Sequence, residues 1–234
     1  MEGQFNNLLS TLFDIIQNMQ KKEQIRITID NIIYSLNEEE KTAKIIKCIS
    51  DIMEIFIPFS INHDSTEYVI TSIEKCAFKK LYKVRSIKFA NNSEIKEIKK
   101  EAFIASTIES IIIPPNVTKI SESCFSCCNK LKTIEILPNS KLCTIEKNAF
   151  HRSRIESILI PQSLTELEEG WCYEVSYLNE IKIMSNNPRY SLYENNFIVT
   201  KSSSEKVDFD VLVFCTKNVT NVRIPDFIEI IGSY

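Results

Sequence analysis

The hydrophobic positions repeat through the middle of the chain. Five segments, VRSIKF (84–89), IESIII (108–113), LKTIEI (131–136), IESILI (155–160) and LNEIKI (178–183), share the pattern apolar-x-x-apolar-x-apolar. Their first residues, Val84, Ile108, Leu131, Ile155 and Leu178, recur after 24, 23, 24 and 23 residues. Alternation of apolar and polar residues over such short runs predicts a half-buried strand in each. A second apolar column keeps the same rhythm through Ile73, Ile98, Ile120, Ile145 and Leu167. Between that column and the next strand stands a small-then-aromatic step, Ala77-Phe78, Ala102-Phe103, Cys124-Phe125 and Ala149-Phe150, with Trp171-Cys172 as a degenerate fifth. Ile113-Pro114 and Ile160-Pro161 end two of the strands, because Pro has no N–H to donate and fixes φ. The longer intervals carry Asn92-Ser93 and Asn139-Ser140 turns instead. A unit of this length cannot bury a core alone, so neighbouring units must stack around a shared interior. The pattern predicts a β-dominated solenoid over residues 67–183.

The flanks read differently. Residues 1–24 place Phe5, Leu8, Leu9, Leu12, Phe13, Ile15, Ile16 and Met19 at helical spacing, which predicts an amphipathic helix. Residues 25–66 follow as a β cap, in which IIYSL (32–36) and TAKIIK (42–47), joined by NEEEK, form a hairpin ahead of IFIP (55–58). A cap is needed because an open solenoid end leaves strand edges and apolar side chains in water. After Ile183 the period breaks. Residues 184–218 hold an inserted hairpin with strands at Phe197–Thr200 and Val211–Phe214. VTNVRIP (219–225) then returns to the strand pattern, and residues 219–234 read as a final repeat cut short at Tyr234.

Composition narrows the functional classes. Ile occurs 38 times in 234 residues and Ala six times, a β-branched excess that favours strands. Gly3, Gly170 and Gly232 are the only glycines, so no Gly-rich loop exists to wrap a nucleotide's phosphates. A net charge of −3 argues against a nucleic-acid binder. No apolar run reaches the ~18 residues that span a bilayer, and Glu2 and Asp14 spoil a secretory signal. The expectation is a chain with neither signal peptide nor transmembrane segment, whose eight Cys are free, buried thiols. Cys124 and Cys127 have the C-x-x-C spacing of half a zinc site, but neither Cys143 nor His151 completes a second pair of ligands. His63 and His151, the only histidines, read as surface residues, so no base stands ready for a Ser or Cys nucleophile. Catalytic, cofactor and metal sites are all expected to be absent.

The repeat apolar-x-x-I-x-I-P-x-x-V-x-x-I-x-x-x-A-F resembles the BspA-like leucine-rich repeat family. Its clearest instance is IESIIIPPNVTKISESCFSCCNKLKTIEI (108–136), where Cys128 takes the family's Cys after the aromatic corner. Departures are the Gly lacking before the Ala-Phe step and Cys172 in place of an aromatic. The resemblance implies a right-handed leucine-rich-repeat superhelix with a parallel sheet. It also implies a non-enzymatic surface antigen or adhesin that binds a host or microbial surface protein. Cell-surface location follows from the resemblance, whereas the missing signal peptide points to the cytoplasm. An intracellular scaffold with an intracellular partner, and a truncated, non-functional fragment of a longer repeat protein, stand as the alternatives.

In stacked parallel strands, outward residues form ladders ~4.8 Å apart. One reads Arg85, Glu109, Lys132, Glu156, Asn179; another reads Lys88, Ile112, Glu135, Leu159, Lys182. Alternating charge favours correct register. The same residues, Arg85, Lys88, Glu109, Ile112, Lys132, Glu135, Glu156, Leu159 and Lys182, form the candidate partner-binding face, with Ile112 and Leu159 as exposed anchors. The unfinished C-terminal repeat adds the expectation of end-to-end self-association. Three sequons, at Asn91, Asn116 and Asn218, would carry glycans on a secretory route.

Overall fold

The Ile-rich alternating runs become strands throughout the computed structural model, which describes residues 24–203, 205–216 and 223–232. β1 (Ile25–Ile29), β2 (Ile32–Asn37) and β3 (Thr42–Cys48) form an antiparallel meander. Asp30 and Asn31 turn β1 into β2 at φ 48° and 61°, the left-handed pair that a two-residue hairpin of type I′ requires. The anticipated hairpin is therefore present as β2 and β3, with β1 as an added strand. β4 (Glu54–Ile57) is followed by β5 (Ser60–His63) and β6 (Thr66–Ile73), a second hairpin turned at Asp64-Ser65. Among the described residues there is no helix, and the helix expected over 1–24 lies outside them except for Gln24, which directly precedes β1.

The first four repeats each contribute a four-residue strand and a two-residue strand, and the fifth contributes a four-residue strand. The longer ones are β7 (Ser86–Phe89), β9 (Ser110–Ile113), β11 (Thr133–Ile136), β13 (Ser157–Ile160) and β15 (Glu180–Ile183). The shorter ones are β8 (Glu97–Ile98), β10 (Lys119–Ile120), β12 (Thr144–Ile145) and β14 (Glu166–Leu167). The long strands lie parallel in the order β4-β7-β9-β11-β13-β15. The second apolar column proves to be a sheet as well, in the order β1-β2-β3-β6-β8-β10-β12-β14, with β5 branching from β6. β4, inside the segment read as a cap, is the first strand of the six-stranded sheet.

Between the sheets the interior is a set of aligned columns. Ile87, Ile111, Ile134, Ile158 and Ile181 face inward from one side, and Ile73, Ile98, Ile120, Ile145 and Leu167 from the other, all buried. Full burial of one such side chain contributes ~1.5–3 kcal/mol. Phe78, Phe103, Phe125 and Phe150 stack face to face along the axis, with centroids 5.0, 5.1 and 5.7 Å apart. That spacing follows the ~4.8 Å between neighbouring strands.

The corners also hydrogen-bond from coil to coil. N–H groups of Phe78, Phe103, Phe125 and Phe150 donate to the carbonyls of Ala102, Cys124, Ala149 and Trp171 at 2.7–2.9 Å. Left-handed residues bracket each step: Cys76, Glu101, Ser123, Asn148 and Gly170 before it, and Lys80, Ala105, Cys127, Arg152 and Glu174 after it. From the first repeat to the fourth, the N–H groups at these bracketing positions also reach the next coil, so the strained backbone is tied down by inter-coil bonds. The fifth step is displaced by one residue. Trp171 occupies the position of the small residue, just after Gly170, and fills the end of the aromatic stack edge-on to Phe150 at 84°.

The insertion is larger than a hairpin. β16 (Tyr190–Tyr193), β17 (Phe197–Thr200) and β18 (Val211–Cys215) run antiparallel, and β19 (Ile230–Ile231) joins β18 in parallel. It closes the fifth coil, since Phe214 lies against Trp171 at 5.6 Å and the Leu167 N–H donates to Tyr190 Oη at 2.8 Å. Of the strand expected over 219–225, Arg223, Ile224 and Pro225 are not in a strand, and residues 219–222 lie outside the described residues.

Candidate functional site

The outer face of the six-stranded sheet carries the residues singled out from the sequence. Register sets them in rows, because partners across parallel strands lie side by side. Glu54 faces Ser86, which faces Ser110, then Thr133, Ser157 and Glu180. Two residues further along each strand, Phe56 pairs with Lys88, Ile112 with Glu135, and Leu159 with Lys182. Arg85, Glu109, Lys132, Glu156 and Asn179 form a third row just before the strands, each N–H donating to the preceding coil's carbonyl from Glu109 onward.

Most charges on this face neutralise one another. Arg85 pairs with Glu109, Lys132 Nζ lies 3.6 Å from Glu156, Lys88 Nζ 3.2 Å from Glu54, and Lys182 Nζ 2.9 Å from Glu180 on its own strand. All are well exposed, so each pair is worth ~0–1 kcal/mol and tunes register more than stability. Glu135 makes no ion pair among the described residues. Beside it, Ile112 is 48% exposed and Phe56, two strands over, 62%. Leu159, expected as a second exposed anchor, is half-buried instead.

A groove of about 670 Å³ runs along this end of the face, lined among others by Phe56, Lys88, Phe89, Ile112, Pro115 and Leu137. Phe56 escaped the sequence reading, although Ile55-Phe56-Ile57-Pro58 has the apolar-x-apolar-Pro spacing of Ile111-Ile112-Ile113-Pro114. Ile52 and Met53, just before β4, are also more than half exposed.

The residues weighed for chemistry are placed elsewhere. Cys124 and Cys128 are buried, and desolvation pushes both thiols up, Cys128 to about 12. The Cys128 thiol donates to the Phe103 carbonyl at 3.1 Å. No group of three His, Cys, Asp or Glu among the described residues is placed to hold a metal ion. His63 ends strand β5 rather than lying in a loop. His151 is half-buried at a corner, stacked on Tyr173 with centroids 5.6 Å apart. Its Nδ1 is 3.4 Å from Ser126 Oγ, but Ser126 is only 4% exposed, and Glu174, 4.0 Å from Nε2, is held by Arg152 at 2.5 Å. An enclosed hydroxyl and a diverted carboxylate do not make a nucleophile with an oriented base. Of the sequons, Asn91 is exposed, Asn116 donates through Nδ2 to the Ser93 carbonyl at 3.2 Å, and Asn218 lies outside the described residues. Among the described residues no helix is long and apolar enough to cross a membrane.

The fold has solved relatives. The pneumococcal vaccine antigen PcpA aligns with 76% of this chain and 54% of its own, at 20% identity and a TM-score of 0.65. A leucine-rich repeat protein from Bacteroides ovatus is 28% identical over 67% of this chain and 40% of its own, with a TM-score of 0.56. A leucine-rich cell surface protein from Faecalibacterium prausnitzii aligns with 83% of this chain and 62% of its own, at 20% identity and a TM-score of 0.51. The chain thus spans less than two thirds of the length of each. No curated protein matches the sequence. The profile of the BspA type leucine rich repeat region matches in six copies over residues 53–179 and 96–211, starting just ahead of β4 and ending at the first residue of β18, and the chain belongs to that family.

Proposed function

We propose that this chain is a non-enzymatic protein-binding module, a BspA-like surface antigen or adhesin, whose six-stranded face receives a host or microbial surface protein. The observation that carries this reading is the exposure of Phe56 and Ile112 in one row, beside a groove, on a face whose other charges are largely compensated. Large apolar side chains ringed by polar ones are the anchors that supply most of the energy in protein interfaces. Extended faces of this kind are what repeat folds offer to partners. The names of the solved relatives, an antigen and a cell surface protein, support the surface role.

The test is an array of host and microbial surface proteins probed with the purified chain and with a Phe56→Ser/Ile112→Ser double variant. Capture of a discrete partner by the parent, lost in a variant of unchanged circular dichroism, supports the reading. Equal capture by both moves the site off this face. Antibody labelling of intact cells tests the surface assignment; labelling only after permeabilisation would favour the intracellular scaffold.

A further inference from the structure

The geometry points to a specific class of partner segment: an extended stretch with a large apolar side chain and a Lys or Arg about four positions away, laid across β4, β7, β9 and β11. This rests on the protein-binding reading of the face and names what that face selects.

Lys88 is held by Glu54, Arg85 by Glu109, Lys132 by Glu156 and Lys182 by Glu180, which leaves Glu135 as the uncompensated charge among the ladder residues. Glu135 is exposed and is the register partner of Ile112. An incoming anion would meet Glu135 with no free cation beside it among the ladder residues, whereas an incoming cation completes the pattern already present on the other strands. Complementary charge of this sort sets specificity and register more than raw affinity. Apolar contact comes from the same row, at Ile112 and Phe56.

Spacing then fixes the segment. Phe56 and Glu135 are three strand steps apart, ~14 Å at 4.8 Å per step. An extended peptide advances ~3.4 Å per residue, so four residues cover that span. A peptide with its apolar side chain on Phe56 therefore brings the residue four places away over the Glu135 carboxylate, with Ile112 under the stretch between them.

The experiment uses two pools of fluorescent nonapeptides on the full chain, read by anisotropy. One pool has Leu, Ile or Phe at one position and Lys four residues away, in both orders, with Ser, Thr and Gly elsewhere; the other has Glu in place of Lys. The parent is expected to bind the Lys pool about tenfold tighter or more, which is ~1.4 kcal/mol. Glu135→Lys should invert the preference, Glu135→Gln should erase it, and Ile112→Ser should weaken both pools alike. Inversion separates recognition by the carboxylate from a structural effect of the substitution. Equal binding of both pools by the parent, or a preference unchanged in Glu135→Lys, overturns the inference. If both pools bind equally yet Ile112→Ser still abolishes binding, the protein-binding face stands and only the cationic class falls. Absence of binding by either pool also overturns this inference, while the array decides the face separately.

Discussion

Phe103 and Phe125, one coil apart, stack with centroids 5.1 Å apart and planes within 7° of parallel. Neither ring touches solvent, and the N–H of Phe103 donates at 2.9 Å to the carbonyl of Cys124, just before the second ring. Ring stacking and corner hydrogen bonds thus repeat with one spacing, so a coil cannot move without disturbing both neighbours.

Phe125 stands in the middle of the stack, with rings on both sides. Phe125→Ala should lower the unfolding free energy by ~3–5 kcal/mol, and Phe125→Leu by distinctly less, measured by urea titration. A loss below 1 kcal/mol for the Ala variant would mean that the spine does not hold the coils together.

The left-handed corner residues predict an unusual stabilisation. Ala105 has φ 56° and no side-chain bond to repay the strain, so Ala105→Gly should raise stability by ~0.5–1 kcal/mol. Gly170, at φ 70° with 4.0 Å of clearance for a Cβ, should lose about 1 kcal/mol as Ala, from backbone strain alone. Thermal melts of the two variants should shift in opposite directions.

These positions show where the sequence was readable and where it was not. Strands β7, β9, β11, β13 and β15 declare themselves by alternation, and the aromatic steps by their period. β8, β10, β12 and β14 span two residues each and leave only a single Ile or Leu as their signal, too little to distinguish a strand from a buried turn. Glu101, Ser123, Asn148 and Arg152 adopt φ above 50° without the Gly that would have advertised it, because the inter-coil bonds supply the compensation. β16, Tyr190–Tyr193, offers only the short Tyr-Ser-Leu alternation and is fixed by pairing with β17. On the candidate face, outward direction was legible from the period of two. The half-burial of Leu159 and the solitary charge of Glu135 depend on neighbouring coils and could not be read locally.

Acid should loosen the insertion first. Lys206 at 2.8 Å, the Ser202 hydroxyl at 2.5 Å and the Ser202 N–H at 2.7 Å hold the Asp210 carboxyl down, from the usual 3.8 to about 2. A carboxylate lowered on folding contributes stability that is fully present above pH 3.8 and is lost as pH falls toward 2. Amide exchange in β17 and β18 should therefore accelerate over that window, and Asp210→Asn should show fast exchange already at neutral pH with a flattened acid response. Unchanged protection in the Asn variant would remove Asp210 from the account.

Thiol reactivity maps the interior. Alkylation requires the thiolate, and burial raises the Cys124 and Cys128 thiols while excluding reagent. Iodoacetamide at pH 8 followed by peptide mass spectrometry should modify the partly exposed Cys127 and Cys143 in the native protein. Cys124 and Cys128 should react only in denaturant. Modification of Cys128 at the rate of Cys127 would contradict the packed interior.

The stacking of coils itself is tested most directly by electron-spin distances between nitroxides placed on non-natural ketone residues at Glu54, Ser157 and Glu180. Register puts Ser157 four strand steps and Glu180 five steps from Glu54, separations of ~19 and ~24 Å between backbones. The expected result is two narrow distributions about 5 Å apart, the longer one for Glu180. Broad distributions, or equal or inverted separations, would contradict the solenoid and with it the binding face.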